Sequence, residues 1–362
     1  MKSLKILIVL PSLAGGGAEK VILSLIENLD TAQCSPILVI QNKIGPLKTK
    51  LDKNNIIDLK CKNFRYAIPK LITTVMKIKP DIIISTFPHI TLPLVILKKY
   101  FYRGTKIIAR EPNMIDASLS NSAYPRLLKF LYKQFMPKVN KIIVTSRAMK
   151  NDLIKKGINK NKLFLIHNPV DNINIRDVRV VNRFIGNGLR LVMVGRLTYQ
   201  KGVDRVLPML KNINNCHLTI LGDGYEKEKL EKTILKLGIE NKVKFIGFSA
   251  IANSYIAGAD YLLLPSRWEG LPNVVLESLV LGTPVISFKQ IVGLNDIVPM
   301  VSENTLRLCK NEYDMEELLK SLKSRKDYVL PIVRTNLLKK INNPKSYAQN
   351  IEKMMKELII AG

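Results

Sequence analysis

Short apolar runs alternate with stretches of helical periodicity along most of the chain. Lys5 to Leu10, Pro36 to Ile40, Ile82 to Ser85, Lys106 to Ala109 and Lys141 to Thr145 read as buried strands, each too short to be a helix. Between them, Val21, Ile22, Leu25, Ile26 and Leu29 recur at helical spacing, and Leu127, Leu128, Leu131 and Phe135 do so again. Strands alternating with helices build parallel sheets through right-handed crossovers, so the N-terminal half is predicted to be a layered α/β unit. The rhythm breaks at Asn168-Pro169-Val170-Asp171 and stays broken through a polar stretch to Gly188. It restarts with strands at Leu191 to Val194, His217 to Leu221, Val243 to Ile246, Tyr261 to Leu264 and Pro284 to Ser287. The pattern predicts a domain over 1–168, a linker over 169–188, a second α/β domain over 189–343 and a closing helix over 344–362. Tyr347, Ile351, Met354, Met355 and Leu358 form the apolar stripe of that helix, after Pro344.

A length of 362 residues agrees with two domains, since one hydrophobic core seldom organises so long a chain. The apolar share, 47%, and a mean hydropathy of +0.07 describe an ordered globular protein. The opening Met1 to Leu10 imitates a signal peptide, but its apolar run is only five residues long before Pro11, so it reads as the first strand. No apolar window reaches the roughly 18 residues of a membrane span; the best candidate, His89 to Leu97, stops at Lys98-Lys99. Cys34, Cys61, Cys216 and Cys309 have neither metal-ligand spacing nor the pairing of a disulfide framework, which points to a reducing compartment. The formal charge of +28 is uneven: residues 1–185 carry 32 Lys+Arg against 11 Asp+Glu, and the rest carry 25 against 18. Such a field favours anionic partners, of which nucleic acid and an anionic membrane leaflet are the obvious two, although Lys-rich base composition is a third explanation.

In open parallel sheets ligands bind beyond the carboxyl ends of the strands, so the segments after the strands carry the chemistry. Gly15-Gly16-Gly17-Ala18-Glu19 follows the first strand and opens a helix, where close backbone approach and unpaired N–H groups suit a phosphate. It is neither a P-loop nor a full dinucleotide fingerprint. Gly195-Arg196 to Lys201-Gly202 follows the first strand of the second domain; Arg196 offers a planar fork to phosphate oxygens and Lys201 a point charge. The third segment, Ser266 to Glu277, holds Glu269 and Glu277 with seven residues between them. Pro272 suits the first turn of a helix running on to Leu281, which puts Glu269 on the preceding loop and Glu277 on the helix. Two carboxylates in different surroundings can accept hydrogen bonds from two different sets of hydroxyls.

These segments, together with Leu221-Gly222-Asp223-Gly224, Phe245-Ile246-Gly247-Phe248 and Gly282-Thr283-Pro284-Val285-Ile286 in order, resemble the retaining family 4 glycosyltransferases of the GT-B fold. The resemblance implies two Rossmann-like domains facing each other across a cleft, with the last helix returning to the first domain. It implies that Gly195, Arg196 and Lys201 bind the donor diphosphate, and that Gly16 and Gly17 approach it from the other domain. Glu277 would take the ribose hydroxyls, Glu269 the hydroxyls of the transferred sugar, and Gly247-Phe248 the base. Backbone N–H groups of Leu271, Asn273 and Val274, around Pro272, mark the helix start that would meet sugar and phosphate. His89, after a strand of the first domain, matches a histidine near the transferred sugar; Glu111 is a weaker candidate, and His167 and His217 read as structural. The chain departs from many relatives at Ile291 to Asp296, which lacks their glycine turn followed by glutamate and puts a sugar contact there in doubt.

No Asp-x-Asp occurs, so a metal is not expected; Arg196, Lys201 and the helix start would offset charge growing on the leaving diphosphate. The expected reaction moves a hexose or N-acetylhexosamine from a nucleotide-sugar, UDP by default, to a glycan acceptor. Ala123 to Lys138 combines apolar and aromatic residues with Arg126, Lys129, Lys133 and Lys138, the composition of an interfacial helix. With Lys60 to Arg65 it favours a polyprenyl-diphosphate-linked acceptor, and a peripheral place on the inner face of the cytoplasmic membrane. A GT-B sugar-nucleotide epimerase and a basic nucleic-acid-binding protein are the rival readings, but no nucleic-acid recognition motif is present.

Overall fold

The computed structural model describes residues 3–171, 178, 188–324, 337 and 340–360. The chain forms two compact units, Met1–Pro169 with Asn342–Gly362, and Val170–Ile341. Most of the predicted linker, 169–188, lies outside the described residues.

The first unit runs β1 (Leu4–Leu10), α1 (Gly17–Asn28), β2 (Cys34–Ile40), β3 (Ile56–Asp58), α2 (Phe64–Ile78), β4 (Ile82–Thr86), α3 (Pro88–Phe101), β5 (Lys106–Glu111), α4 (Ile115–Ser120), α5 (Pro125–Phe135), β6 (Lys141–Val144), α6 (Arg147–Lys155) and β7 (Leu163–Leu165). Its seven strands are parallel in the order β3-β2-β1-β4-β5-β6-β7. Side chains alternate across each strand, so the sheet separates two cores. Leu7, Ile83, Ile107 and Ile142 face the helices α2 to α6, while Ile6, Ile84, Ile108 and Ile143 face α1 and the C-terminal helix.

The second unit runs β8 (Leu189–Val194), α7 (Val203–Lys211), β9 (Cys216–Leu221), α8 (Lys227–Leu237), β10 (Val243–Gly247), α9 (Ala252–Gly258), β11 (Tyr261–Leu264), α10 (Asn273–Val280), β12 (Val285–Phe288), β13 (Leu306–Cys309) and α11 (Glu312–Ser321). Its parallel sheet has the order β10-β9-β8-β11-β12-β13. In both sheets the order reverses beside the first strand, between β1 and β4 and between β8 and β11. That reversal opens a crevice at the carboxyl ends of those strands, the place where doubly wound sheets bind ligands.

The closing helix α12 (Pro344–Ile360) returns to the first unit and packs on α1, burying Tyr347, Ala348, Ile351, Met354 and Met355. Each large apolar side chain so buried contributes about 1.5–3 kcal/mol. Glu352 accepts a hydrogen bond from the Asp30 backbone N–H at 2.6 Å, just past the end of α1. All four cysteines are free and buried, and burial pushes the thiols of Cys34 and Cys309 up to about 11, away from reactivity.

One helical stripe differs from its prediction. Leu127 is 55% exposed, because Leu128, Leu131, Tyr132 and Phe135 already supply a complete inward face for α5 and Leu127 rotates outward beside Phe130. Among the described residues no helix is long and apolar enough to cross a membrane; His89 to Leu97 lies inside the 14-residue α3.

Candidate active site

The crevice between β8 and β11 is built by two loops. The first leaves β8 as Gly195-Arg196-Leu197, makes a single 3-10 turn over Tyr199–Lys201 and turns into α7 through Gly202. Gly202 has φ 67°, and a Cβ there would sit 2.3 Å from the Pro265 carbonyl oxygen, so glycine is what lets this loop lie on the next one. The second loop leaves β11 at Pro265 and ends at α10. Pro272 is the N-cap of α10, not a residue of its first turn; its ψ of 119° is extended, and its carbonyl accepts from the Val275 N–H at 3.1 Å to close the turn. Its missing N–H costs nothing there either.

Four side chains meet where the loops touch. Lys201 Nζ donates to Glu269 Oε1 at 2.5 Å, and Ser266 Oγ donates to the same oxygen at 2.9 Å. Gln200 Nε2 donates to Glu269 Oε2 at 3.4 Å and to the Trp268 carbonyl at 2.9 Å. Glu269 is 5% exposed and Ser266 0%, so this carboxylate is buried, with Lys201, Ser266 and Gln200 around it. Lys201 and Glu269, expected to serve phosphate and sugar separately, thus pair with each other. Further bonds lace the loops together: the Arg267 N–H donates to the Gln200 carbonyl at 2.7 Å, and the Arg267 guanidinium binds both oxygens of Asp204 at 2.9 and 2.6 Å. The Arg267 guanidinium also lies 3.8 Å over the Tyr199 ring and holds the Asp204 carboxyl below its ordinary pKa.

Arg196 is exposed and its side chain has no hydrogen-bond or ion-pair partner among the described residues. Glu277 lies half-buried on α10, and Leu271, Asn273 and Val274 stand at the start of that helix. Gly247 ends β10 at φ 77°, and its carbonyl accepts from the Gly222 N–H at 2.7 Å; Phe248 beyond it is 46% exposed. The segment Ile291 to Asp296 lies beside the Glu269 loop. A Cβ on Gly293 would stand 1.6 Å from the Gly270 carbonyl oxygen, so this 3-10 turn lies directly against the Glu269 loop through its backbone.

In the first unit, Gly16 is the N-cap of α1 and Gly17 its first residue, at the end of the loop that follows β1. After β4 the chain passes through Phe87, a non-glycine residue at φ 71°, and Pro88 starts α3 at once. His89 is therefore the second residue of a helix and not part of a loop. Its ring stacks on Phe87 with centroids 5.8 Å apart and meets the Phe64 ring edge-on at 5.6 Å. Desolvation in this aromatic setting lowers its pKa; solvent still reaches the ring, which tempers the shift.

Beside it, at the end of β5, Arg110 and Glu111 are each 1% exposed. As neighbours on a strand they point to opposite faces and do not pair. Arg110 Nη2 donates to Asn168 Oδ1 at 2.7 Å, whereas its Nε and Nη1 have no partner among the described residues. Glu111 Oε1 lies 3.5 Å from the Tyr132 hydroxyl, Oε2 has no partner among the described residues, and burial pushes the carboxyl up to about 8. Ser266, Gln200 and Arg110 were not singled out from sequence. The signal for the first two was adjacency to Glu269 and Lys201; a buried arginine at a strand end gives none.

Residues 15–172 match the family model for Glycosyltransferase Family 4 and residues 174–327 that for Glycosyl transferases group 1. The chain is 26% identical over 300 residues to the amylovoran biosynthesis glycosyltransferase AmsD of Erwinia amylovora, covering 81% of this chain and 83% of that one. It is 26% identical over 341 residues, 88% of this chain and 90% of the relative, to the Campylobacter jejuni N-acetylgalactosamine-N,N'-diacetylbacillosaminyl-diphospho-undecaprenol 4-alpha-N-acetylgalactosaminyltransferase. The crystal structure of Anabaena HepE in complex with UDP and glucose superposes with a TM-score of 0.76 at 18% identity, covering 98% of this chain and 100% of that one, and shows a shared fold. Two doubly wound units, the ordered motifs at their strand ends and the two matching family models lead to one statement: the chain belongs to the group 1, family 4 glycosyltransferases of the GT-B fold.

Proposed function

We propose that the protein is a retaining, metal-independent glycosyltransferase that moves a hexose or N-acetylhexosamine from a UDP-sugar to a lipid-linked glycan in cell-surface polysaccharide or glycoconjugate synthesis. The observation that carries this reading is the Lys201–Glu269 pair at the β8/β11 crevice, with free Arg196 on the loop and Glu277 on α10. Arg196 and Lys201 bind the donor diphosphate and offset the negative charge that grows on it as the bond to the anomeric carbon breaks. Glu269 holds hydroxyls of the sugar, Glu277 those of the ribose, and Gly247 with Phe248 borders the base. In a front-face reaction the acceptor oxygen bonds to the anomeric carbon on the side the diphosphate leaves. The diphosphate keeps the electron pair of the broken bond and takes the hydroxyl proton. The roles of Gly16 and Gly17 beside the diphosphate, and of His89 beside the sugar, rest on the family resemblance alone.

For the acceptor, two supports converge. The Campylobacter relative bears a diphospho-undecaprenol acceptor in its name. In this chain Tyr124, Leu127 and Phe130 are 66%, 55% and 65% exposed on α5 and its approach, among Arg126, Lys129 and Lys133. Apolar side chains ringed by cations suit the interface of an anionic leaflet and support a peripheral position on the inner face of the cytoplasmic membrane.

The reading is tested by thermal-shift screening of UDP- and GDP-sugars followed by transfer to polyprenyl-diphosphate-linked glycans. Stabilisation by one nucleotide-sugar series and transfer of its sugar are expected, and stabilisation by none contradicts the reading. Flotation with anionic vesicles that is lost when Leu127 and Phe130 become serine supports the membrane surface; flotation indifferent to anionic lipid removes it.

A further inference from the structure

Glu269 is held asymmetrically. Each carboxylate oxygen can accept about two hydrogen bonds. Oε1 has both, from Lys201 at 2.5 Å and Ser266 at 2.9 Å, whereas Oε2 has one long contact, from Gln200 at 3.4 Å. We propose that Ser266 and Gln200 are positioning residues that lock the Glu269 carboxylate so that Oε2 alone reads a hydroxyl of the donor sugar, which makes them determinants of which epimeric sugar is accepted. The inference rests on the donor-site reading above and adds the residues that give it selectivity.

The locking has a physical basis in each partner. Ser266 is wholly buried, has a single hydroxyl proton and donates it to Oε1. Its own backbone is pinned, since the Ser266 carbonyl accepts from Arg205 at 3.4 Å and from Gln290 at 3.3 Å. Gln200 is pinned by its carbonyl, which accepts from the Arg267 N–H at 2.7 Å, and by its side-chain bond to the Trp268 carbonyl. Without these groups the terminal torsion of a glutamate is broad and roughly two-fold, so the carboxylate could turn to meet an axial or an equatorial hydroxyl alike. With them, one acceptor oxygen stands in one place. A site built to hydrogen-bond a particular hydroxyl rejects a sugar that moves it, because the buried acceptor is left unpaired. Lys201 is not equivalent to Ser266 in this respect, for its ammonium also serves the diphosphate.

The experiment is calorimetric titration of the full-length wild type, Ser266→Ala and Gln200→Ala with UDP, the epimeric pairs UDP-glucose/UDP-galactose and UDP-N-acetylglucosamine/UDP-N-acetylgalactosamine, and GDP-glucose/GDP-mannose. Ser266→Ala removes one buried oxygen and Gln200→Ala changes a half-exposed position, so the second variant keeps the test usable if the first fails to fold. In both variants UDP affinity is expected to stay within about twofold, while the preference between the pair that the wild type separates falls about tenfold, the value of one charge-assisted hydrogen bond. An unchanged preference in both variants overturns the inference, as does a parallel loss of UDP and UDP-sugar affinity, or a wild type that separates no pair. A wild type that binds no nucleotide overturns the donor-site reading itself, a different and distinguishable failure.

Discussion

The two crevices at the strand-order reversals have the same topology and opposite characters. At β8/β11 the loops are tied by side chains: Lys201, Ser266 and Gln200 on Glu269, Arg267 on Asp204, and Arg205 on Glu312 and on the Pro265 carbonyl. At β1/β4 the lining is glycine backbone, an aromatic cluster around His89 and, on β5 alongside, Arg110 and Glu111 with unfilled hydrogen-bonding capacity. A polar lattice fixed before a ligand arrives suits a ligand whose charge and hydroxyls are always the same. A lining of glycine backbone and aromatic rings, with backbone in strained conformation such as Phe87 at φ 71° and polar groups alongside still unfilled, suits a partner that varies or completes the site. Preorganisation therefore belongs to the β8/β11 crevice, the one proposed to take the donor.

The contrast predicts unequal responses to substitution. The largest is at Lys201: Lys201→Ala removes a preorganised cation and is expected to lower turnover at saturating donor by about 10² to 10³, whereas near-normal turnover would place the charge compensation elsewhere. Next comes the backbone contact that supports the Glu269 loop. Gly293→Ala places a Cβ 1.6 Å from the Gly270 carbonyl oxygen, and overpacking of this kind lowers unfolding stability by about 1–3 kcal/mol, read from the urea midpoint. The smallest effect lies at the other crevice. The Glu111 carboxyl is raised from 4.5 to about 8, so the folded chain holds a proton that the unfolded chain releases within that window. Stability contributed by the protonated acid is full below 4.5 and is lost as pH rises through about 8. Glu111→Gln should flatten that decline, and a melting temperature with the same pH slope in both proteins would remove Glu111 as its source.

Much of this was legible in the sequence, and what was not has common causes. The ten strands read from apolar runs are present, within a residue or two at their ends. The three missed strands, β3, β7 and β13, are all sheet edges of three or four residues. An edge strand buries only part of its surface, so its apolar signal is short and interrupted. The helix carrying Glu277 and the loop carrying Glu269 were readable because Pro272 marks the boundary, although it caps the helix instead of entering it. The Lys201–Glu269 contact was not readable, since the two residues are 68 positions apart and meet only because β8 and β11 are neighbours. Likewise the sequence showed His89 only as following a strand, whereas Pro88 starts α3 directly and makes His89 a helix residue. Local punctuation is written in the chain; which strand ends become adjacent is decided by topology.

The central claim, that the β8/β11 crevice is the donor diphosphate site, is tested most directly by calorimetric titration with UDP. Wild type should bind UDP, and Arg196→Ala with Lys201→Ala together should weaken that binding by at least about tenfold through loss of charge-assisted phosphate contacts. Equal UDP affinity in the wild type and the double variant would contradict the account.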